Sequence, residues 1–496
     1  MKTISKSRFV SGIQCSKKLF FDIYRKDLKP IISEQQELLF STGHEIGELA
    51  QRVFPNGKDA SPENYYDFSK SIQDTTDWIK SGVKTIYEAA FNSNDVLAAL
   101  DILHHTENER WAIEVKSSSE VKNYHITDAS LQYWVMEKSG FKPDKFFLMH
   151  INTAYIKKGD INPSELFTLS DITTQVIGNQ FWVEENLENL KSILSSEVEP
   201  IVEIGKHCGS PFNCDYKHHC WRHIPDQSVF SLYSPRGLEW NLYEQGIIKI
   251  IDIPDTVSLN QRQSLQVNGQ KKSHSHIDKN NISEYINDWK FPLYFFDFET
   301  IFPALPVLNG TRPFQQVPFQ YSVHILERLG GEFLHKDFLA EPKDFNDILL
   351  DPRKKLLDQM KLDIGKTGSI VAYNATFEIS RLKDLAITFP EEENFIYDII
   401  GRFVDLLIPF RKGWYYHPEM GGSASIKAVL PAIAPKFSYS DLEISNGGDA
   451  SNIFLNMINN KFTGDDIKVR ESLKKYCERD TLGMVIIWKE LVKKIE

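Results

Sequence analysis

An α/β protein of two domains joined by a helical connector is the fold the sequence predicts, and three observations predict it. Residues 84–120 alternate short apolar runs with polar turns, as a strand meander does. Further strand-like runs, "KFFLMHIN" and "SIVAYN", each stand next to a segment of helical period. The chain closes on "ESLKKYCERDTLGMVIIWKELVKKI", a long amphipathic helix. At 496 residues there is material for two or three separate cores.

Taken in order, residues 1–55 read as helical. The meander of 84–120 follows, then a helix from about Ile126 to Ser139, the strand "KFFLMHIN", and a helical stretch over 160–200 that ends at Pro200. Residues 226–290 are polar and rich in Gln and Ser, which predicts a helical connector and linker. A second domain starts at 291 with a strong strand; "SIVAYN" (369–374) is another, with a helix from Thr376. The domains expected are therefore 1–225 and 291–496, with 226–290 between them.

Composition is that of an ordinary soluble protein, 41% hydrophobic and 25% charged. "MKTISKSRFVSGIQC" lacks the apolar core of a secretory signal, and no run approaches the roughly 18 apolar residues of a membrane span. A cytoplasmic protein with no membrane partner is expected. The net charge of -11 gives no global attraction to nucleic acid. Charge is uneven, however: Lys2, Lys6, Arg8, Lys17, Lys18, Arg25, Lys26 and Lys29 stand against only Asp22 and Asp27 in the first thirty residues. A local basic face can hold a phosphate backbone on an acidic protein, although a solvated helix surface is the commoner use of such a run.

The strand "LYFFDFETIF" (293–302) carries Asp297 and Glu299 two residues apart, hence on one face. Paired acids in an apolar strand resist burial unless something positive lies between them. Other acids follow. "VAYNATFEISRL" has Asn374, Phe377 and Glu378 where a strand becomes a helix, "RFVDLLIPF" has Asp405, and "KKYCERDTLGM" has Tyr476 with Asp480 one turn later. Two acids on a strand and one from each of two helices form a set that can hold divalent metal. Oxygen ligands suit Mg²⁺ or Mn²⁺, and two such ions about 4 Å apart can hydrolyse a phosphodiester. Tyr476 is in reach to orient the attacking water.

The ordered motifs DFE, Nx₂FE and YxxxD over the C-terminal two-fifths of the chain resemble those of the DnaQ-like (DEDD) 3′–5′ exonucleases, on an RNase-H-like mixed sheet. The branch with Tyr in the last motif is the nearest. The resemblance implies Asp297, Glu299, Glu378 and Asp480 as metal ligands and Tyr476 as a catalytic residue. Asp405 matches a position that supports the site. One departure stands out: the second motif usually ends in Asp, and here it is Glu378, longer by one methylene.

In the N-terminal half, Asp101 lies in "ALDILHH", and Glu114 and Lys116 share a strand face in "AIEVKSSS". A lysine beside carboxylates can stabilise negative charge developing on a phosphate, with metal held by the acids. A surface salt bridge in a hairpin is the plain alternative. Asp-x₁₂-Glu-x-Lys, followed by a helix with Gln132 and Tyr133, resembles the PD-(D/E)xK nuclease core in its RecB-like branch. That resemblance implies Asp101 and Glu114 as metal ligands, and Lys116 and Gln132 as catalytic residues. The branch often adds a helical ligand near the start; "TGHEIGELA" offers His44 and Glu48 on one helix face.

Cysteine placement adds to this. Cys208, Cys214 and Cys220 follow one another at intervals of six in "CGSPFNCDYKHHC", and Cys15 precedes the core. The layout resembles the iron–sulfur RecB-like nucleases, the CRISPR-associated and AddB types among them, and implies a 4Fe–4S cluster on four thiolates. Zinc is the alternative, with His207, His218, His219 and His223 as further donors. Cys477, inside the YxxxD motif, reads as a plain helix residue. The whole chain resembles a bacterial family that fuses the two nuclease types. A metal-dependent DNA nuclease acting in repair, recombination or defence against mobile DNA is thus expected, with RNA as the alternative substrate and an inert nucleic-acid-binding scaffold as the alternative class.

Overall fold

The computed structural model describes residues 3–31, 34–64, 67–347, 349–439 and 441–496, and for residues 34–40 the helical backbone alone. Lys2 of the basic N-terminal run lies outside the described residues. Two compact units emerge, residues 1–223 with 304–306, and residues 224–303 with 307–496. Both are mixed α/β. None of the described helices is long and apolar enough to cross a membrane.

The first unit is built on a mixed sheet of β1 (Ile4–Ser5), β2 (Lys58–Asp59), β3 (Thr85–Ser93), β4 (Val96–His105), β5 (Arg110–Lys116), β6 (Lys145–Ile151) and β7 (Phe167–Asp171), in the order β2-β3-β4-β5-β6-β7 with β1 beside β4. Asn94 and Asp95 both adopt positive φ, 51° and 60°, so a tight turn of matching twist joins β3 to β4. From β5 the chain crosses through the helix Asn123–Lys138 to β6, which pairs parallel with β5. That helix is buried nearly all round, lying among the sheet and the helices Lys6–Gln14 and Gln180–Ser196. The stretch 160–200, expected to be helical throughout, also contains β7. Its "FTLSD" buries only Phe167 fully, and an edge strand so polar carries little periodic signal.

In the second unit, β8 (His276–Ile277) and β14 (Tyr415–Tyr416) form a small pair. The main sheet joins β9 (Leu293–Ile301), β10 (Val317–Leu326), β11 (Phe333–Leu339), β12 (Ser369–Ala372) and β13 (Phe403–Asp405) in the order β11-β10-β9-β12-β13. The β9–β10 and β10–β11 pairs are antiparallel, and β9–β12 and β12–β13 are parallel. Both faces are covered. Leu293, Phe295 and Ile301 join one core, while Tyr294, Phe296 and Phe298 join another on the opposite side. Period two thus survives in β9 as two different cores and not as an inside and an outside. Asp297 and Glu299 belong to the face covered by the helices Gly447–Ile458 and Asp466–Ile495.

Residues 226–290 contain the helices Leu238–Glu244, Gln261–Lys272 and Lys279–Asn287 and fall within the second unit. They also have a small core of their own around Val229, Leu242, Ile250 and Val267, while Ile282, Ile286 and Trp289 enter the main core of the unit. Gln266 is buried because both ends of its amide are used: Oε1 accepts from Tyr233 N, and Nε2 donates to Ser231 O. A polar composition here reflects satisfied backbone groups.

Gly368 leads into β12 with φ +95°, and a Cβ there would run into the Pro292 carbonyl. Gly368→Ala is expected to cost at least about 1–2 kcal/mol, from the left-handed backbone alone. A lower urea midpoint at unchanged slope is the measurement that checks it.

Candidate functional sites

Three segments far apart in sequence meet in one cavity of about 460 Å³ in the second unit. From β9 come Asp297 and Glu299, from the first turn of the helix Thr376–Thr388 comes Glu378, and from the helix Asp466–Ile495 come Tyr476 and Asp480. Asp405 stands apart and holds the turn that delivers Glu378. Its Oδ1 accepts from Asn374 N and from Leu407 N, both at 2.9 Å, and Oδ2 accepts from Arg411 at 2.9 Å. Asn374 sits at φ +74°, a conformation that asparagine tolerates better than most residues.

The acids are buried: Glu299 is 7% exposed, Glu378 2% and Asp480 8%. Burial raises the carboxyl of Asp297, and Asp480, Glu299 and Glu378 raise it further. Burial likewise raises Glu299, with Asp480 adding to it, and pushes Glu378 to about 8. Asp480 rises only to about 6: burial is countered by a hydrogen bond from Tyr439 Oη (2.5 Å) and by the charge of Lys427. At an effective dielectric of about 20, two like charges 4 Å apart repel by roughly 4 kcal/mol. Without added cations, at least one of four such acids is expected to take up a proton. Cys477 is more than a helix filler. It is fully buried, and its sulfur and the carboxylates of Asp297 and Glu299 lie within 4.8 Å of one another. Burial and these acids hold it as a thiol. Lys427 and Tyr439 carry no sequence signal that would have assigned them here, and Cys477, though inside the YxxxD motif, reads only as a helix residue.

The first unit gathers its charged groups on the central strands. Lys116 Nζ lies 2.8 Å from Glu114 Oε1 and 2.6 Å from Asp128 Oδ2. Lys6, from the first turn of the helix Lys6–Gln14, donates to Glu114 (3.1 and 3.3 Å) and to Ala99 O (2.7 Å). Asp101 Oδ2 accepts from Val115 N at 2.6 Å. The β3–β4 register, Tyr87 opposite Ile102 and Ala89 opposite Leu100, sets Glu88 across from Asp101. Glu88 holds φ +52°, which is strained for a non-glycine residue within a strand. Burial works against charge on Glu114, yet Lys116 and Lys6 keep its carboxyl well below the usual range. Asp101 shifts the other way, raised by burial and by Glu114. Gln132 is fully buried one turn after Asp128.

A cleft of about 1240 Å³ opens beside this cluster, and Lys6, Arg8, Lys18, Glu114, Lys116 and His125 are among its walls. Part of the basic N-terminal run therefore faces the candidate site. Lys17 instead pairs with Glu199, Arg25 with Asp27 and Lys29 with Asp215. His44 and Glu48, on the helix Glu34–Gln51, are exposed, and neither is among the described residues lining the cleft. Glu88 and Asp128 escaped the sequence reading, since each is a lone charged residue in an unremarkable local pattern, and Lys6 reads only as one of a basic run.

Cys15, Cys208, Cys214 and Cys220 line one small pocket together with His207. Cys15 sits between the helices Lys6–Gln14 and Ser16–Tyr24, and the other three lie on the segment 208–220. Gln14 Nε2 clamps that segment by donating to His207 O (2.8 Å) and Phe212 O (2.7 Å), and Tyr216 Oη donates to Asp22 Oδ1 (2.8 Å). All four cysteines are free. Burial pushes the Cys214 thiol up to about 11 and raises those of Cys15 and Cys220. A donor set of four sulfurs fits a thiophilic metal or cluster, whose positive charge would reverse those shifts. His218, His219 and His223 are not among the described residues lining the pocket.

Residues 294–425 match a domain of unknown function, DUF2779. The matched stretch includes Asp297, Glu299, Glu378 and Asp405 but ends before Tyr476 and Asp480. Over 242 residues the chain is 26% identical to uncharacterized protein MG366 of Mycoplasma genitalium, covering 43% of this chain and 34% of that protein. It is 28% identical over 221 residues to uncharacterized protein UU173 of Ureaplasma parvum, 39% of this chain and 30% of the relative. The homolog of MG366 in Mycoplasma pneumoniae is 28% identical over 217 residues, 39% of this chain and 31% of that protein. The chain thus spans about a third of the length of the curated relatives it matches.

The cavity of the second unit predicts a thermal signature. Asp297→Asn removes one of four crowded acids, so in metal-free buffer its Tm is expected to equal or exceed that of the parent. Mn²⁺ is expected to raise the Tm of the parent more than that of the variant, because a ligand of the folded state stabilises in proportion to its binding. Paired melting curves with and without Mn²⁺ check this, and equal shifts would count against a shared cation site.

Proposed function

We propose that the protein is a metal-dependent nuclease with two hydrolytic sites, acting on DNA in repair, recombination or defence against mobile DNA. One observation carries the reading: Asp297, Glu299, Glu378 and Asp480, from three separate segments, converge on one cavity with Tyr476 beside them. The second unit also has the mixed sheet that a DnaQ-like, RNase-H-like domain requires. Divalent ions bound there would supply Lewis-acid stabilisation and a more acidic water. Within the chain, Asp297, Glu299, Glu378 and Asp480 would hold the ions, and the Tyr476 hydroxyl would orient the attacking water. Glu378, longer than the usual Asp, has a buried Oε2 without a hydrogen-bond partner among the described residues, which fits a group kept for a ligand.

In the first unit, Asp101 and Glu114 would hold metal in a RecB-like site. Lys116 would contact a phosphate oxygen as charge builds on it. Gln132 would support the acids from the helix behind them. The cysteine pocket would hold a 4Fe–4S cluster that ties the N-terminal helices to the segment 208–220.

The deciding experiment is cleavage of labelled single- and double-stranded DNA and RNA by the full chain, with and without Mn²⁺. Metal-dependent DNA cleavage supports the reading, preference for RNA changes the substrate, and no cleavage of any substrate overturns it. With the C-terminal site disabled by Asp297→Asn, Lys116→Ala is expected to lower the remaining cleavage by roughly 10²-fold. The same change should cost on the order of 1–3 kcal/mol of stability, since Asp128 loses its partner while Lys6 still neutralises Glu114. Single-turnover rates and melting curves separate the two effects.

Anaerobically purified protein is expected to be brown and to contain iron. Cys214→Ala should bleach it and lower the Tm of the N-terminal unit. Elemental analysis that finds zinc without iron would assign the pocket to zinc.

A further inference from the structure

Among the acids of the C-terminal cavity stands one cation that neither the sequence motifs nor the proposed metal set accounts for. Lys427 is the second residue of the helix Ile426–Ile433 and lines the same cavity as Asp297, Glu378 and Asp480. Its ammonium lies over two tyrosine rings, 5.3 Å from the centroid of Tyr439 and 5.5 Å from that of Tyr476. One N–H donates to Ser445 O at 2.7 Å. An ammonium has three donors, and among the described residues no other acceptor is recorded for it. The residue is exposed, whereas Glu299, Glu378 and Asp480 are buried. Its partners are placed to hold it still: Tyr476 belongs to the proposed site, and Tyr439 donates to Asp480.

We infer that Lys427 is the phosphate-binding residue of this cavity, contacting a non-bridging oxygen of the phosphodiester being cut. The inference rests on the hydrolytic reading given above and extends it to a residue outside the recognised motifs. In hydrolysis, the oxygen of a water bonds to phosphorus, the bond from phosphorus to the leaving oxygen breaks, and that oxygen takes up a proton. Negative charge gathers on the non-bridging oxygens as this proceeds. The four acids would hold the ions, and a substrate anion drawn toward four carboxylates also needs a positive group from the protein. Lys427 supplies that charge. Its hold by Ser445 O and the two rings reduces the side-chain freedom lost when a phosphate arrives. A structural alternative is that Lys427 only fastens the segment around Tyr439 and Ser445 to the helix.

The two roles separate in one set of measurements on the full chain carrying Lys116→Ala, so that only the C-terminal site is read. A nucleoside 5′-monophosphate serves as the binding probe by calorimetry in Mn²⁺, and hydrolysis of labelled single-stranded DNA is followed in single turnover. Lys427→Gln, which keeps a donor for Ser445 O but removes the charge, is expected to weaken monophosphate binding about tenfold and slow hydrolysis roughly 10²-fold. Its Tm should stay close to that of the parent, and Lys427→Arg should restore most of both activities. Binding and hydrolysis unchanged in Lys427→Gln, with an active parent, would overturn the role of Lys427 and leave the nuclease reading standing. Losses that follow a fallen Tm and are not restored by Arg would also overturn it, in favour of the structural role. Monophosphate binding that depends on Lys427 in a parent that cuts nothing would keep the phosphate site and reject the hydrolytic reading. A parent that neither binds the monophosphate nor cuts would reject both.

Discussion

Burial of carboxylates on the central strands of a sheet is the constraint on which both candidate sites depend. A carboxylate taken from water must find a counter-charge, strong hydrogen bonds or a proton. The two units meet this demand in opposite ways. In the first, Lys6 and Lys116 bracket Glu114, and Lys116 also reaches Asp128, so the chain brings its own cations. In the second, the described residues lining the acid cavity offer Lys427 as their one cation. The balance must then come from protons or from metal. The upward shifts at Asp297, Glu299 and Glu378 express that deficit.

The scaffolding follows from the same demand. An acid that must be aimed needs a stiff backbone, and each unit provides one by local hydrogen bonding. Asp405 uses both carboxylate oxygens to pin the turn ahead of Glu378 and to hold Arg411. The acids of β9 are set by a strand whose apolar residues are packed on both faces, which fixes the backbone that aims them into the cavity. In the first unit, Gln14 clamps the cysteine segment through two backbone carbonyls, next to Cys15 itself. Asp405 and Gln14 are each one polar side chain satisfying two backbone groups, an economical way to fix a loop.

Much of the fold was legible because its pattern is local. The meander of β3, β4 and β5, the helix Asn123–Lys138 and the C-terminal helix all announce themselves by period and turn residues. The paired spacings of Asp297 with Glu299, Glu114 with Lys116, and Tyr476 with Asp480 were legible for the same reason, since spacing along one element fixes which side chains share a face. The edge strand β7 was not, because five mostly polar residues carry no period. The burial of residues 226–290 was hidden by a composition that resembles a linker until Gln263 and Gln266 are seen hydrogen-bonded inside.

Single charged residues were the least legible of all. Nothing in their own neighbourhoods marks Glu88, Asp128 or Lys427 for a site, and Lys6 is marked only as one of a basic run. His44 and Glu48 differ in the other direction: the RecB-like resemblance made them candidates, and both are exposed and not among the described residues lining the cleft. By itself the sequence determined which residues share a strand or helix face, because that depends on backbone periodicity alone. Only the tertiary structure decided which faces meet, which acids lose their water, and which lysines stand close enough to answer them. Those outcomes depend on distances across elements far apart in the chain, and Coulomb interactions are set by distance and burial, not by order along the sequence.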